Sequence, residues 1–201
     1  MNDLFRDKAS DWDSRPFPLQ ISEGVFGAIK ARVKLTAELR VLDFGAGTGL
    51  LISKVAPFVG KLLAVDISAA MLEKLVSKPE LEGKVTAFCQ DILDRPLAER
   101  ADLVVSAMAM HHVEDTRALA VTLFNHLEPG GRIALADLDS EDGTFHPPNT
   151  EGVFHQGFDR AHFSQLLSDA GFVEIEFDTA VVVHKENNKY PVFLVTATKP
   201  S

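Results

Sequence analysis

The chain has 201 residues, of which 46% are hydrophobic, and its formal net charge is −9 at pH 7. This length fits one domain, and no run approaches the roughly 20 apolar residues that cross a bilayer. The acidic start MNDLFRDKASDWDS lacks the basic segment of a secretory signal, and the lone Cys89 excludes a disulfide framework. We therefore expect a cytoplasmic protein with small-molecule partners and no membrane or nucleic-acid partner, because no Lys/Arg cluster offsets the negative charge.

Apolar patterns in the first two thirds of the chain predict alternating strands and helices. Ile21, Val25, Ile29 and Val33 repeat at helical spacing and predict a first helix over 20–36. The predicted strands are 39–44, 61–66, 84–90, 101–108 and 132–138, the last preceded by a turn over 128–131. The predicted helices among them are 49–58, 68–77 (capped by Ser68) and about 115–127. This alternation predicts a mostly parallel sheet covered by helices on both faces.

The end of the chain departs from this alternation. A helix opens at Asp159 and stops at Gly171, and two β-rich runs, 173–184 and 190–199, predict an antiparallel hairpin. The fold class is therefore α/β, with a Rossmann-like, mostly parallel sheet of seven strands ending in a C-terminal antiparallel hairpin. Residues 139–157 show no periodic pattern, and so long a loop is typically a functional lid or disordered. It follows the fifth strand, so we expect it to overhang the carboxyl ends of the strands, where open α/β sheets bind ligands.

The segment VLDFGAGTGLL, residues 41–51, passes from a strand through a glycine loop into a helix. Glycines in such a loop let backbone N–H groups approach a ligand without a Cβ clash. NAD proteins carry G-x-G-x-x-G, whereas Leu50 stands here where the third glycine belongs. Asp43 lies inside the strand, where a buried carboxylate is costly unless it is paired. It suits a ligand ammonium reached through water better than a pyrophosphate, and an NAD(P)-dependent oxidoreductase is the alternative.

The same segment resembles motif I of the class I S-adenosylmethionine (SAM) dependent methyltransferases, and further matches follow in order. VDIS and CQDI place Asp66 and Asp91 where that family has acids that bind the ribose hydroxyls and meet the adenine amino group. ADLVVSAMAMHHV is similar to the strand-four motif of the ubiquinone/menaquinone-methyltransferase-like small-molecule branch, and LEPGGRIALAD resembles the strand-five motif. FRDKASDWD, residues 5–13, is similar to that branch's N-terminal segment, which folds over the methionine end of SAM.

The resemblance implies SAM as the cofactor, S-adenosylhomocysteine (SAH) as the product and a small molecule as the methyl acceptor. It divides a single domain, 1–201, into an N-terminal lid and helix (1–37), a SAM-binding half (38–138), and a substrate loop, helix and terminal hairpin (139–201). The residues expected to bind the cofactor are Trp12, Asp43, Phe44, Gly45, Ala46, Gly47, Gly49, Asp66, Ile67, Met71, Asp91, Ile92, Ser106, Ala107 and His111. A SAM-binding protein without catalysis is the further alternative.

The candidate catalytic residues are histidines, because methyl transfer needs a general base only if the acceptor must lose a proton. His111 follows strand four and His155 lies in the long loop with His146, whereas we favour a structural role for His112. No H-x-x-H or H-x-x-x-H spacing is present, so no metal is expected. DLDSED, residues 137–142, is interpreted as a solvated acidic loop.

Several methyltransferase subtypes are disfavoured by residues that the motifs lack. SAMAM stands where enzymes that methylate adenine or glutamine amino groups have N/D-P-P-Y/F, and no Pro-Cys marks C5-cytosine chemistry. A small acceptor remains, and aromatic side chains of the loop such as Phe145 and Phe154 either enclose it or dock the loop. We expect Arg160 to pair with a neighbouring acid. Monomer and homodimer stay open as the oligomeric state.

Overall fold

The fold is a seven-stranded sheet with helices on both faces, and the computed structural model describes residues 3–201. The strands are β1 Arg40–Phe44, β2 Lys61–Asp66, β3 Val85–Cys89, β4 Ala101–Ala107, β5 Leu127–Leu138, β6 Val173–Lys185 and β7 Asn188–Thr198. The α-helices are α1 Pro16–Arg32, α2 Leu50–Val55, α3 Ala69–Val76, α4 Thr116–Asn125 and α5 Arg160–Asp169. Short 3-10 turns span Arg6–Lys8, Trp12–Ser14, Ala56–Phe58, Pro79–Leu81 and Met110–His112.

The strand order is β3-β2-β1-β4-β5-β7-β6. The first five strands are parallel, and β7 runs antiparallel between β5 and β6. The predicted fold class is confirmed. The chain order reverses between β1 and β4, so a crevice opens outside the carboxyl ends of these two strands. The glycine loop follows β1 and the paired histidines follow β4, which places both motifs at this crevice.

Two apolar cores flank the sheet because successive strand residues face opposite sides. Val41 of β1 belongs to the core under α1, α2 and α3, where it packs with Ile29 and Ile52. Its neighbour Leu42 belongs to the core under α4 and α5, together with Leu123. Burial on both faces explains why the strand sequences are continuously apolar.

Two predicted helix starts are confirmed by their capping bonds. The Ser68 hydroxyl accepts from the Met71 N–H at 3.2 Å at the start of α3. The Asp159 carboxylate accepts from the His162 N–H at 2.8 Å at the start of α5. Side-chain oxygens at these positions satisfy N–H groups that have no partner within the helix.

Two predicted boundaries differ from the structure. The first helix begins at Pro16 rather than 20, since proline is tolerated in a first helical turn, and ends at Arg32 because Val33 takes an extended conformation. The predicted turn at 128–131 lies inside β5, where the pairing with β4 jumps from Ala101–Leu127 to Leu103–Arg132 and Gly130 takes a φ of +75°. The Gly130 N–H donates to the Lys199 carbonyl at 3.0 Å, so pairing with the chain end keeps the segment in the sheet.

The long segment 139–157 contains no helix or strand, as predicted, and folds back on its own ends. The Ser140 N–H donates to the Phe158 carbonyl at 3.1 Å, and the Glu141 N–H donates to the Gln156 carbonyl at 3.0 Å. These bonds hold the segment as a closed loop beside the carboxyl end of β5. Within residues 3–201, no helix is long and apolar enough to cross a membrane.

Candidate active site

A cavity of about 860 Å³ lies at the carboxyl ends of β1, β2 and β4. This volume falls within the roughly 300–1,000 Å³ of small-molecule sites. Its walls are the glycine loop, the ends of β2 and β3, the segment after β4, the N-terminal segment and the loop 139–157. The reversal of strand order thus opens a pocket to which several separated motifs contribute.

The glycine loop presents its backbone to this cavity. Gly45 and Gly47 have φ angles of +66° and +53°, which favour glycine. The Gly45 N–H donates to the Val65 carbonyl at 2.9 Å, which ties the loop to β2. A Cβ built on Gly47 would meet nothing within 4 Å, so this part of the loop faces open space. Ser106 supports the loop from beneath, because its hydroxyl donates to the Phe44 carbonyl at 2.7 Å.

Gly45→Ala is expected to destabilise the protein by about 1–3 kcal/mol, because it combines a left-handed backbone with a collision. A Cβ at this position would run into the Ala109 side chain. Gly27→Ala is the matched control, since its Cβ would meet nothing within 4 Å on helix α1, and we expect a gain of about 0.4–1 kcal/mol. Urea denaturation measures the free energy of unfolding of both variants. Equal effects would contradict the conclusion that the backbone at Gly45 requires glycine.

Asp43 is a buried carboxylate with one oxygen that lacks a partner. The side chain is 2% exposed, lines the cavity, and its Oδ2 accepts no hydrogen bond from the described residues. Burial, and then the nearby Asp66, raise the pKa of Asp43 well above its ordinary value. A buried polar atom without a partner is costly. The unpaired oxygen therefore points to a bound donor in the cavity.

Asp66 and Asp91 stand at the ends of β2 and β3 and line the same cavity. The Asp66 carboxylate accepts from the N–H groups of Gly47 and Ser68, both at 2.8 Å, and so joins the glycine loop to the start of α3. Burial raises the pKa of Asp66, while these two hydrogen bonds act in the opposite direction. Asp91 accepts from the Leu93 N–H at 2.8 Å. Backbone bonds thus orient both acids beside the cavity.

His111 and Asp137 form a buried pair at the base of the cavity. The His111 Nδ1 lies 2.7 Å from Asp137 Oδ1, and the two side chains are 1% and 0% exposed. The N–H groups of His111 and Leu138 also donate to this carboxylate, at 3.1 and 2.8 Å. Burial alone would raise the pKa of Asp137, but the charge of His111 in its protonated form and these hydrogen bonds more than offset it and lower the pKa. A carboxylate that accepts three hydrogen bonds is held in its ionised form.

Two more histidines surround His111. His146 Nε2 from the loop lies 3.2 Å from His111 Nε2, and His112 Nδ1 lies 2.6 Å from the Gly152 carbonyl oxygen. Burial, followed by the His111 charge, lowers the pKa of both His112 and His146 to about 4. Both imidazoles are therefore neutral near pH 7.

Comparison with known families accords with this geometry. Residues 41–131 match the family model described as "Methyltransferase domain". The match identifies residues 41–131 as a methyltransferase domain, as the resemblance to the class I SAM-dependent family predicts. This assignment sets aside the oxidoreductase alternative, whereas membership of the ubiquinone/menaquinone-like branch stays a prediction.

Individual relatives carry the same family name. The chain is 30% identical over 135 residues to an uncharacterized methyltransferase of Schizosaccharomyces pombe, covering 59% of this chain and 48% of that protein. It is 28% identical over 162 residues to the O-methyltransferase resE of Aspergillus sclerotiorum, covering 74% and 60%. The chain thus spans about half of the length of these curated relatives.

A solved structure shares the fold of this methyltransferase domain. The N-methyltransferase NodS of Bradyrhizobium japonicum, in complex with SAH, superposes with a TM-score of 0.74 at 17% identity. The match covers 99% of this chain and 95% of NodS. At this identity the likeness shows the fold alone.

Most residues predicted to bind the cofactor line the cavity of the methyltransferase domain. They are Trp12, Asp43, Phe44, Gly45, Ala46, Gly47, Asp66, Ile67, Met71, Asp91, Ile92, Ala107 and His111. Gly49 and Ser106 do not reach it. A Cβ on Gly49 would lie 2.9 Å from Leu75 Cγ, so this glycine serves helix packing, and Ser106 is buried beneath the loop.

His155, predicted as a candidate catalytic residue, does not lie at the cavity. Its Nε2 lies 2.9 Å from the Val113 carbonyl oxygen, its ring packs 5.3 Å from the Phe158 ring, and it is absent from the cavity wall. The physical reason is that the Phe154 and His155 N–H groups both donate to the His111 carbonyl, which turns His155 away. Arg160 pairs with an acid as expected, through two bonds of 2.7 and 2.8 Å to Asp139.

The interpretation of 137–142 as a solvated loop is wrong for Asp137, which closes β5 and is fully buried. The sequence carries a signal for the position of Asp137. In a mostly parallel sheet the carboxyl ends of β4 and β5 meet at one edge, so Asp137 at the end of β5 lies near the residues that follow β4. Met108 was also missed. It lines the cavity with a φ of +61°, uncommon for a side-chain-bearing residue. Across residues 3–201, no three His, Cys, Asp or Glu side chains group as a metal site.

Proposed function

We propose that this methyltransferase domain transfers a methyl group from SAM to a small-molecule acceptor and releases SAH. The observation that carries the proposal is Asp43, whose buried and unpartnered oxygen faces a cavity beside an open glycine loop. SAM brings an ammonium group that satisfies such an oxygen directly or through one water. The SAH complex of the fold neighbour NodS supports the same cofactor.

The other wall residues fit the remaining parts of SAM. By resemblance to the family, Asp66 accepts from the ribose hydroxyls and Asp91 from the adenine amino group. Met71 and Ile92 supply apolar surface between them. The cofactor contributes a methyl group on a sulfonium, an electrophile that is already activated. The task of this chain is then to hold the donor and the acceptor in line and to exclude water.

The acceptor side of the cavity is largely aromatic and aliphatic. Phe5, Phe145 and Phe154 line it, from the N-terminal segment and the long loop. We infer an acceptor of metabolite size with an apolar frame. The net charge of −9 disfavours nucleic acid as the substrate. A single domain over 1–201, a cytoplasmic location and a monomer or homodimer complete the proposal.

Calorimetry with SAH tests the cofactor proposal. We expect micromolar binding by the wild type and a loss of roughly 10–100-fold in Asp66→Ala, since hydrogen bonds to a charged group contribute about 1.5–3 kcal/mol. Glu73→Ala, an exposed acid on α3, is the control and should bind as the wild type does.

No SAH binding by folded wild-type protein would refute the cofactor proposal. Binding of SAH without transfer of labelled methyl to any compound of a broad metabolite panel would favour a non-catalytic SAM-binding protein. Circular dichroism of each variant separates loss of binding from loss of folding.

A further inference from the structure

We propose that His111 is the general base for a hydroxyl-bearing acceptor and that Asp137 is its positioning residue. The acceptor class is then a hydroxyl compound with a flat apolar frame, such as a hydroxyarene. This inference rests on the proposed function and deepens it. It follows from the proton positions in the cluster of Asp137, His111 and His146.

Asp137 fixes the tautomer of His111. Its carboxylate accepts from His111 Nδ1 at 2.7 Å, and the backbone N–H groups of His111 and Leu138 fill further acceptor positions. An ionised carboxylate only accepts, so the proton of neutral His111 lies on Nδ1. In this neutral form the Nε2 atom of His111 carries a lone pair, and His111 lines the cavity.

His146 marks where an acceptor proton would lie. Its Nε2 is 3.2 Å from His111 Nε2, and when His111 is neutral with its proton on Nδ1, His146 is the donor of this bond. His146 belongs to the long loop and is half-buried. A donor atom therefore already stands within hydrogen-bond reach of the base. A hydroxyl group that takes the place of the His146 N–H would donate its proton to His111.

The chemistry of methyl acceptors selects a hydroxyl. A neutral amine attacks without prior loss of a proton, so a buried base offers it little. A carboxylate is already ionised, so it has no proton for a base to remove. A hydroxyl is a weak nucleophile until its proton leaves, and a phenolic group has a pKa of about 10. An imidazole backed by a carboxylate is the arrangement that removes such a proton near neutral pH.

The cavity wall beside the cluster selects a flat frame. The Phe145 ring meets His146 edge-on at 5.0 Å, and the Phe5 ring meets His112 edge-on at 5.2 Å. Aromatic rings in these positions offer apolar faces and edges to a planar molecule.

The step balances as follows. The acceptor O–H proton passes to His111 Nε2 while the oxygen lone pair forms the new O–C bond. The C–S bond breaks and sulfur keeps its electron pair, which gives neutral SAH and a methyl ether. The imidazolium that results is paired with Asp137, and it returns the proton to water once the ether leaves.

A matched pair of probes, 1-naphthol and 1-naphthylamine, tests the acceptor class with methyl-labelled SAM. The two differ only in the nucleophilic group. We expect the methyl ether of 1-naphthol from the wild type and a rate lower by about 10²–10⁴-fold in His111→Asn, the usual share of a general base. His184→Asn alters an exposed histidine on β6 and should retain the wild-type rate.

Nitrogen NMR of the SAH-bound protein gives a readout that is independent of turnover. We expect the His111 proton on Nδ1 in the wild type. Asp137→Asn should lose this tautomer, because the amide group of Asn donates to Nδ1 instead. A purely structural role of Asp137 would leave the tautomer unchanged.

Four results would each overturn the inference. Methyl transfer to 1-naphthylamine alone, no methyl ether from 1-naphthol, an undiminished rate in His111→Asn, or a proton on Nε2 overturns the inference. All four leave the proposed function standing as long as SAH binds. Failure of SAH to bind the folded wild type overturns the proposed function itself.

Discussion

Asp137→Ala is expected to lower the free energy of unfolding by about 3–5 kcal/mol, as the loss of one partner of a buried pair does. The substitution leaves three N–H donors without their acceptor: Nδ1 and the backbone N–H of His111, and the N–H of Leu138. Each unsatisfied buried donor costs about 1–3 kcal/mol. The side chain is fully buried, so water does not replace the carboxylate without opening the end of β5.

Urea denaturation between pH 3 and pH 8 measures this loss and its pH dependence. The pKa of Asp137 is lowered in the fold, so its stabilising contribution is present above the unfolded pKa of about 3.9 and lost as pH falls through the folded pKa. The difference in free energy of unfolding between the wild type and Asp137→Ala should therefore become smaller in acid. Asp137→Asn keeps the shape and one of the two acceptor oxygens, and it should cost less. A difference that grows in acid would contradict an ionised Asp137 in the folded protein.

The architecture was predictable because it depends on local patterns. Continuous apolar runs such as KLLAVD at 61–66 are explained by burial on both faces of a parallel sheet. Helix starts with a capping side chain, such as Ser68, were located correctly. Proline and glycines indicate a turn at 128–131, and the structure has an irregularity there, but inside β5 rather than before it. Pairing with the far end of the chain, at Lys199, keeps this turn joined to the sheet, and no local pattern indicates that pairing.

The candidate site divides along the same line. Asp43 and the glycine loop lie in one contiguous motif, so their joint placement at the cavity could be predicted. The His111–Asp137 pair joins residues 26 positions apart and depends on β4 and β5 being neighbours. The loop 139–157 has no periodic pattern to indicate its path. Nothing in the sequence distinguishes His146, which faces His111, from His155, which does not.

Asp43→Asn is expected to stabilise the ligand-free protein by about 1–3 kcal/mol while it weakens SAH binding roughly 10-fold or more, because an ionised carboxylate is costly when buried without a partner and useful when it binds a cation. Its Oδ2 has no partner among the described residues, and the side chain is 2% exposed. An amide is neutral and avoids the burial of a charge. It also loses the charge-assisted bond to the ligand ammonium. Opposite signs for stability and binding mark a residue kept for function.

The pH dependence of Asp43 gives this prediction its sharpest test. The pKa of Asp43 is raised, first by burial and then by Asp66, so its contribution to stability is greatest below the unfolded pKa of about 3.9 and is lost as pH rises through the folded pKa. Thermal unfolding measured at several pH values should show this loss of stability in the wild type and not in Asp43→Asn. Asp7→Asn, an exposed acid near the N-terminus, should leave it intact.

Binding should reverse the shift, because a cationic ligand favours the ionised form of a neighbouring carboxylate and lowers its pKa. SAM carries a sulfonium and an ammonium, whereas SAH has lost the sulfonium charge. Calorimetry in buffers of different ionisation enthalpy should therefore detect proton release with SAM, less with SAH, and none in Asp43→Asn. Equal proton release in wild type and variant would place the coupled proton elsewhere in the cavity. The expected result ties the unpaired oxygen of the free protein to the charge of its cofactor.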